Sequence, residues 1–235
     1  MQERTFGGLR VRLAGGTDRE GGGDGPLVVL MHGFGAPGTD LVGLWRVLNV
    51  PGDVRFAFPE APNEVPGLPG ARAWWMLDLA HAEQAMAEGP RSYANEAPDG
   101  MQEATDQVLE MLAELQTELG VSDRQLVVGG FSQGSMVACN AVFARGAETA
   151  GLVILAGTPV ALSSWQARMG ARRGLRVLQS HGDRDPMLSF DAAVELCGTM
   201  RDAGLEVDWV PFRGGHEIPL PVLEGLSAFI RRVID

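Results

Sequence analysis

Ser132 stands in Gly130-Phe131-Ser132-Gln133-Gly134, between two different kinds of apolar run. Before it, Gln125-Leu126-Val127-Val128 reads as a buried strand; after it, Met136 to Phe143 reads as a helix. A serine at such a junction is either a helix cap or a nucleophile. A cap needs no glycine on both sides, whereas the sharp turn of a G-x-S-x-G nucleophile needs small residues two positions away. An alkyl hydroxyl is a poor nucleophile until a base takes its proton, so a nucleophile also predicts partners downstream. Of the four histidines, His32 and His81 precede the serine, and His181 comes before the acids beside it. His216, late in the chain after Gly214-Gly215, has the right place for the base. The acid lies in His181-Gly182-Asp183-Arg184-Asp185-Pro186, where spacing alone leaves both carboxylates open. Pro186 fixes the chain just past Asp185, while Asp183 is placed to brace the loop by accepting backbone N–H bonds.

A second glycine signal competes. Gly33 to Gly38 matches G-x-G-x-x-G after a strand, and Glu60 lies twenty-two residues past Gly38, the arrangement of a dinucleotide-binding turn with an acid for the ribose. Against it, Pro37 sits where a phosphate wants an N–H, an acidic cap at Asp40 faces the pyrophosphate, and a hairpin partner precedes the strand. His32-Gly33-Phe34-Gly35 fits better as an oxyanion loop, with the Phe34 N–H as one donor and the Gln133 N–H, at a helix N-terminus, as the other.

The elements that must position these groups alternate. Strands are expected at Leu9–Leu13, Leu27–Met31, Val54–Phe58, Leu152–Leu155, Leu175–Gln179 and Val207–Phe212. Helices are expected at Asp40–Asn49, Leu77–Glu88, Asp99–Leu119, Phe190–Ala203 and Pro221–Val233. Gly15 to Gly25 reads as a flexible hairpin loop. Unbroken apolar strands alternating with helices imply one α/β domain over residues 1–235, its mostly parallel sheet covered on both faces. Residues 59–98 hold six prolines and form a lid or pocket-forming insertion; Trp74-Trp75 within it argues against disorder. Phe34, Trp74, Trp75 and Met76 are the expected lining of an acyl pocket.

Composition narrows the chemistry. The net charge of −11 disfavours nucleic acid. Every basic residue is Arg, so no Schiff-base lysine, Ser–Lys dyad or P-loop lysine can be built. No apolar run is long enough for a membrane span, and no signal-peptide pattern opens the chain. Cys139 and Cys197 are expected to be reduced core residues, which with the missing signal points to the cytoplasm. His81-Ala82-Glu83 reads as an exposed helix turn rather than a zinc motif. No metal or cofactor is implied. A homodimer is left open.

The chain resembles the phospholipase/carboxylesterase family of α/β-hydrolases, which includes acyl-protein thioesterases. The carrying segments are "LVVLMHGFG", "FPEAP", "AWWMLD", "GGFSQGS", "LQSHGDRDPM" and "GGHEIP", in the family's order from residue 27 to 219. The resemblance implies an α/β-hydrolase fold and the triad Ser132, Asp185 and His216, the acid being the second Asp of its segment. It also implies oxyanion donors at the Phe34 and Gln133 N–H groups. Ser135 departs from the glycine many members carry, and Leu188-Ser189 replaces a frequent Val-Pro. The resulting expectation is a serine hydrolase of short- to medium-chain acyl esters, with a lysophospholipase or acyl-protein thioesterase as the alternative.

Overall fold

The computed structural model describes residues 1–77, 90, 92–95, 97–144 and 149–234. The helix expected at 77–88 and the His81 turn therefore lie outside the described residues, apart from Leu77.

Along the chain run β1 (Gln2–Phe6), β2 (Leu9–Gly15), β3 (Leu27–Met31), α1 (Leu44–Val47), β4 (Arg55–Pro59), β5 (Asn63–Glu64) and β6 (Arg72–Ala73). They are followed by α2 (Met101–Leu119), β7 (Leu126–Phe131), α3 (Gln133–Ala144), β8 (Gly151–Leu155) and α4 (Leu162–Met169). The chain closes with β9 (Arg176–Gly182), α5 (Phe190–Asp202), β10 (Glu206–Phe212) and α6 (Leu220–Ile234). Eight strands form one sheet in the order β1-β2-β4-β3-β7-β8-β9-β10. β1–β2 and β2–β4 pair antiparallel, and every neighbour from β4 to β10 is parallel. β5 and β6 make a separate two-stranded hairpin.

The unbroken apolar run of β3 has its reason in this sheet. Leu27, Val29 and Met31 enter the core beneath α2, α3, α4 and α5, while Val28 and Leu30 enter the core beneath α6 on the opposite face. Successive side chains of a strand alternate faces, so a strand covered on both must be apolar throughout.

Three expectations are corrected. Leu9–Leu13 is not the first strand, because β1 precedes it. It is an edge strand with mostly exposed side chains, so it carries no apolar run to reveal it. Nor is β2 the hairpin partner of β3: β4 lies between them, and residues 16–26 cross over it. That connection is tied rather than loose, since Asp18 Oδ1 accepts the N–H groups of Glu20 (2.7 Å) and Gly22 (2.9 Å). Finally, Asp40 caps no helix. The helix is only Leu44–Val47 with Gly43 before it, and a glycine inside the expected span costs about 1 kcal/mol against alanine.

The parallel strands all end toward one edge, where open α/β sheets bind ligands. The segments singled out for chemistry leave that edge: 32–38 after β3, 132–135 after β7, 183–188 after β9 and 213–217 after β10.

Candidate active site

Ser132 sits between β7 and α3 with φ 53°, a left-handed conformation that is costly for a residue with a Cβ. An N-cap residue has extended backbone, so this is not a cap. The turn is held by backbone bonds: the Ser132 N–H donates to Leu155 O (2.8 Å), and the Ser135 and Met136 N–H groups donate to Ser132 O (2.9 and 3.3 Å). Both flanking glycines are required by close approach. A Cβ on Gly130 would stand 2.5 Å from Met31 O, and one on Gly134 would stand 2.1 Å from it. Ser135 is buried and its hydroxyl donates to Ser132 O at 2.7 Å, so the residue that departs from the usual glycine braces the Ser132 carbonyl.

His216 and Asp185 meet across two loops. His216 Nδ1 lies 2.6 Å from Asp185 Oδ2, and Asp185 is buried. Asp185 Oδ1 accepts the N–H groups of Met187 (2.8 Å) and Leu188 (3.0 Å). Burial pushes the Asp185 carboxyl up, but the His216 contact and those two N–H groups outweigh it and hold it below the usual carboxylate range. Asp183 braces the loop instead: its Oδ1 accepts the Gly214 N–H at 3.2 Å. Neither Gly214 nor Gly215 has a positive φ; a Cβ on Gly214 would stand 2.6 Å from Glu217 Oε1, and one on Gly182 would strike the carbonyls of both. The Phe131 ring lies against the His216 imidazole, centroids 4.8 Å apart, a contact the G-x-S-x-G pattern does not announce.

The loop after β3 closes on the serine. A Cβ on Gly33 would stand 3.2 Å from the Ser132 Cβ. The neighbours of the Phe34 N–H are spent, Gly35 N–H on Arg72 O (2.8 Å) and Ala36 N–H on Gly33 O (3.3 Å). The Gln133 N–H opens a helix and so precedes any intrahelical acceptor. His32 holds this loop from beneath. Its Nε2 accepts the Ala61 N–H (3.0 Å), and its Nδ1 therefore donates to Gly33 O (2.8 Å), which fixes a neutral tautomer. His181 is likewise buried at the end of β9, its Nε2 3.1 Å from Leu188 O and 3.4 Å from Asp185 Oδ2.

Burial depresses the pKa of both His32 and His181. In the unfolded chain each would take a proton near pH 6.5. The unfolded state therefore binds more protons just below that pH, and stability falls as pH drops from ~6.5 toward the lower folded values. Urea midpoints measured from pH 8 to pH 5 are expected to decline, and His181→Gln is expected to flatten the decline.

Glu60 cannot serve a ribose. Its Oε2 lies 2.9 Å from Arg12 Nη2 and its Oε1 3.1 Å from Arg72 Nη2, while Arg12 Nη1 donates to Gly38 O at 3.1 Å. The acid that the dinucleotide reading required is thus a strut for the glycine loop. Glu60→Ala leaves Arg12 buried with, among the described residues, the Gly38 carbonyl and the exposed Glu3 beside it. A loss of about 3 kcal/mol in urea unfolding is expected.

Gly33, Phe34, Trp75, Ser132, Gln133 and His216 line one cavity of about 210 Å³. Its other walls are mostly apolar, from Leu77, Tyr93, Pro98, Met136, Val160 and Leu188. Two of the expected lining residues are elsewhere. Trp74 is core, its indole N–H donating to His32 O at 2.9 Å, and Met76 is 41% exposed and does not line the cavity. The Gln133 side chain has a part that the motif conceals. Its Oε1 accepts the Trp74 N–H (3.0 Å) and its Nε2 donates to Trp75 O (2.8 Å), pinning the tryptophan segment to the serine turn.

This sheet, with a strained serine at its turn and a His–Asp pair on the neighbouring loops, defines an α/β-hydrolase. The solved structures it is similar to agree. Esterase PE8 superposes with TM-score 0.78 at 27% identity, covering 94% of this chain and 99% of that one. Arabidopsis thaliana SOBER1 gives TM-score 0.73 at 21% identity, over 89% and 99% of the two chains. In sequence, acyl-protein thioesterase 1 of Gibberella zeae is 25% identical over 214 residues, 87% of this chain and 89% of that protein. The phospholipase/carboxylesterase family profile matches residues 21–234, and the chain belongs to that family. It is a hydrolase of the esterase and thioesterase kind.

Among the described residues no helix is long and apolar enough to cross a membrane. Cys139 and Cys197 are both buried and unpaired.

Proposed function

We propose that the chain hydrolyses short- to medium-chain carboxylic esters through an acyl-enzyme on Ser132. His216 takes the Ser132 proton as the hydroxyl attacks the ester carbonyl, and Asp185 orients the imidazole and stabilises its charged form. The N–H groups of Phe34 and Gln133 hold the tetrahedral oxyanion. Collapse breaks the bond to the alcohol, which leaves with the proton from His216. Water then attacks the acyl-enzyme with His216 as base, releasing the acid and restoring Ser132. No step calls for a metal or cofactor.

The single observation that carries this reading is that the strained Ser132 and the Asp185-bound His216 line one apolar cavity. Its volume supports the shorter chains, being below the ~300–1,000 Å³ usual for drug-sized ligands. The two buried, unpaired cysteines support a reducing compartment, the cytoplasm. A thioester reading keeps the same residues and draws on the acyl-protein thioesterase relative.

The test is a p-nitrophenyl ester series from acetate to palmitate, run beside an acyl-CoA. kcat/KM peaking at eight carbons or fewer, with the thioester slower, is the expected result. A peak at palmitate, or a faster thioester, transfers the assignment to the thioesterase reading.

A further inference from the structure

Asp40 is the charged member of the cavity lining among the described residues. It lies on the same loop after β3 as Gly33 and Phe34. Two ordinary uses of such an aspartate are absent. It caps no helix, since α1 begins four residues later, and among the described residues it enters no ion pair or hydrogen bond. The flanking arginines are committed: Arg19 and Arg46 lie over the Trp45 ring, Arg55 donates to the Gly25 and Leu119 carbonyls, and Arg12 and Arg72 are taken by Glu60. Asp40 and Met187 are also the exposed residues of the lining, whereas Trp75 and Leu188 are buried. The alcohol must leave to solvent before water can enter, so it occupies the open side of such a cavity.

Resting on the ester-hydrolase reading above, we infer that the leaving-group side of this cavity selects alcohols carrying an alkylammonium group, through the Asp40 carboxylate. The Met187 thioether and the Phe34 ring supply soft, polarisable surface for the N-alkyl groups. The carboxylate supplies the charge. An anionic leaving group meets repulsion there, and the net charge of −11 adds to it at longer range.

Three short-chain esters matched in shape provide the test: one of choline, one of its uncharged isostere 3,3-dimethylbutanol, and one of an alcohol ending in sulfonate. In wild type at low salt, kcat/KM for the choline ester is expected to exceed that for the neutral ester by about fivefold, the size of a unit-charge interaction near solvent. The sulfonate ester falls below the neutral one. Adding 1 M salt compresses the order, because exposed charges are screened. Asp40→Asn brings the choline-to-neutral ratio close to one, and Asp40→Arg inverts it. A wild-type ratio of one, or a preference that survives Asp40→Asn, overturns the inference while leaving ester hydrolysis standing. Failure to turn over even the neutral ester, or its turnover by Ser132→Ala, overturns the parent reading and this one with it.

Discussion

Ser132→Ala is expected to lower kcat for p-nitrophenyl esters by about 10⁴ or more, with the protein still folded. The size follows from what is lost: an alanine forms no acyl-enzyme, and water must attack without the covalent step. Folding survives because the turn is held by main-chain bonds to Leu155 and by the Ser135 hydroxyl on the residue 132 carbonyl, none of which uses the Ser132 side chain. Steady-state kinetics together with a urea unfolding curve checks both halves. Persistent turnover in the variant would remove Ser132 from the mechanism.

Asp185→Asn is expected to cost a similar factor, about 10⁴ in kcat, and Asp183→Asn less than tenfold. The Asp185 carboxylate is committed on both oxygens, to two backbone N–H groups and to His216 Nδ1. An asparagine can keep the backbone bonds with its amide oxygen. Its NH₂ then faces His216 and favours the tautomer with Nδ1 as acceptor, so Nε2 carries the proton and cannot take one from Ser132. Among the described residues the Asp183 carboxylate accepts the Gly214 N–H and has no contact with His216, so its loss loosens a loop without changing a tautomer. Equal losses in the two variants would reassign the acid.

What the sequence makes legible here is what local chain geometry demands. The glycines at 130 and 134 are written into the sequence because Met31 O presses on the turn. The apolar run of β3 is written there because two cores need it. The order of serine, acid and histidine narrows the base to His216. The choice between Asp183 and Asp185 is different in kind, since both carboxyls meet the loop after β10 and only the folded chain shows which of them reaches the His216 imidazole. Pairings across the sheet are silent in the same way: nothing in Leu9–Leu13 says that its neighbours are β1 and β4. β1 is invisible because an edge strand has little to bury. Trp74 and Trp75 look alike in sequence, yet the His32 carbonyl draws one indole into the core and leaves the other beside the cavity. α4 did leave a trace, apolar residues at 162, 165 and 169, which fits one face of a short helix.

The bonds from the Gln133 amide to the Trp74–Trp75 backbone bear on how the enzyme can change. The residue proposed to present an oxyanion donor also holds the cavity wall. Rate and chain-length preference therefore share a mechanical anchor. Reshaping the wall by shifting the tryptophan backbone tugs on the turn that carries Ser132. Selection for longer acyl chains has an easier route through Val160 or Leu188, which line the cavity from other segments of the chain.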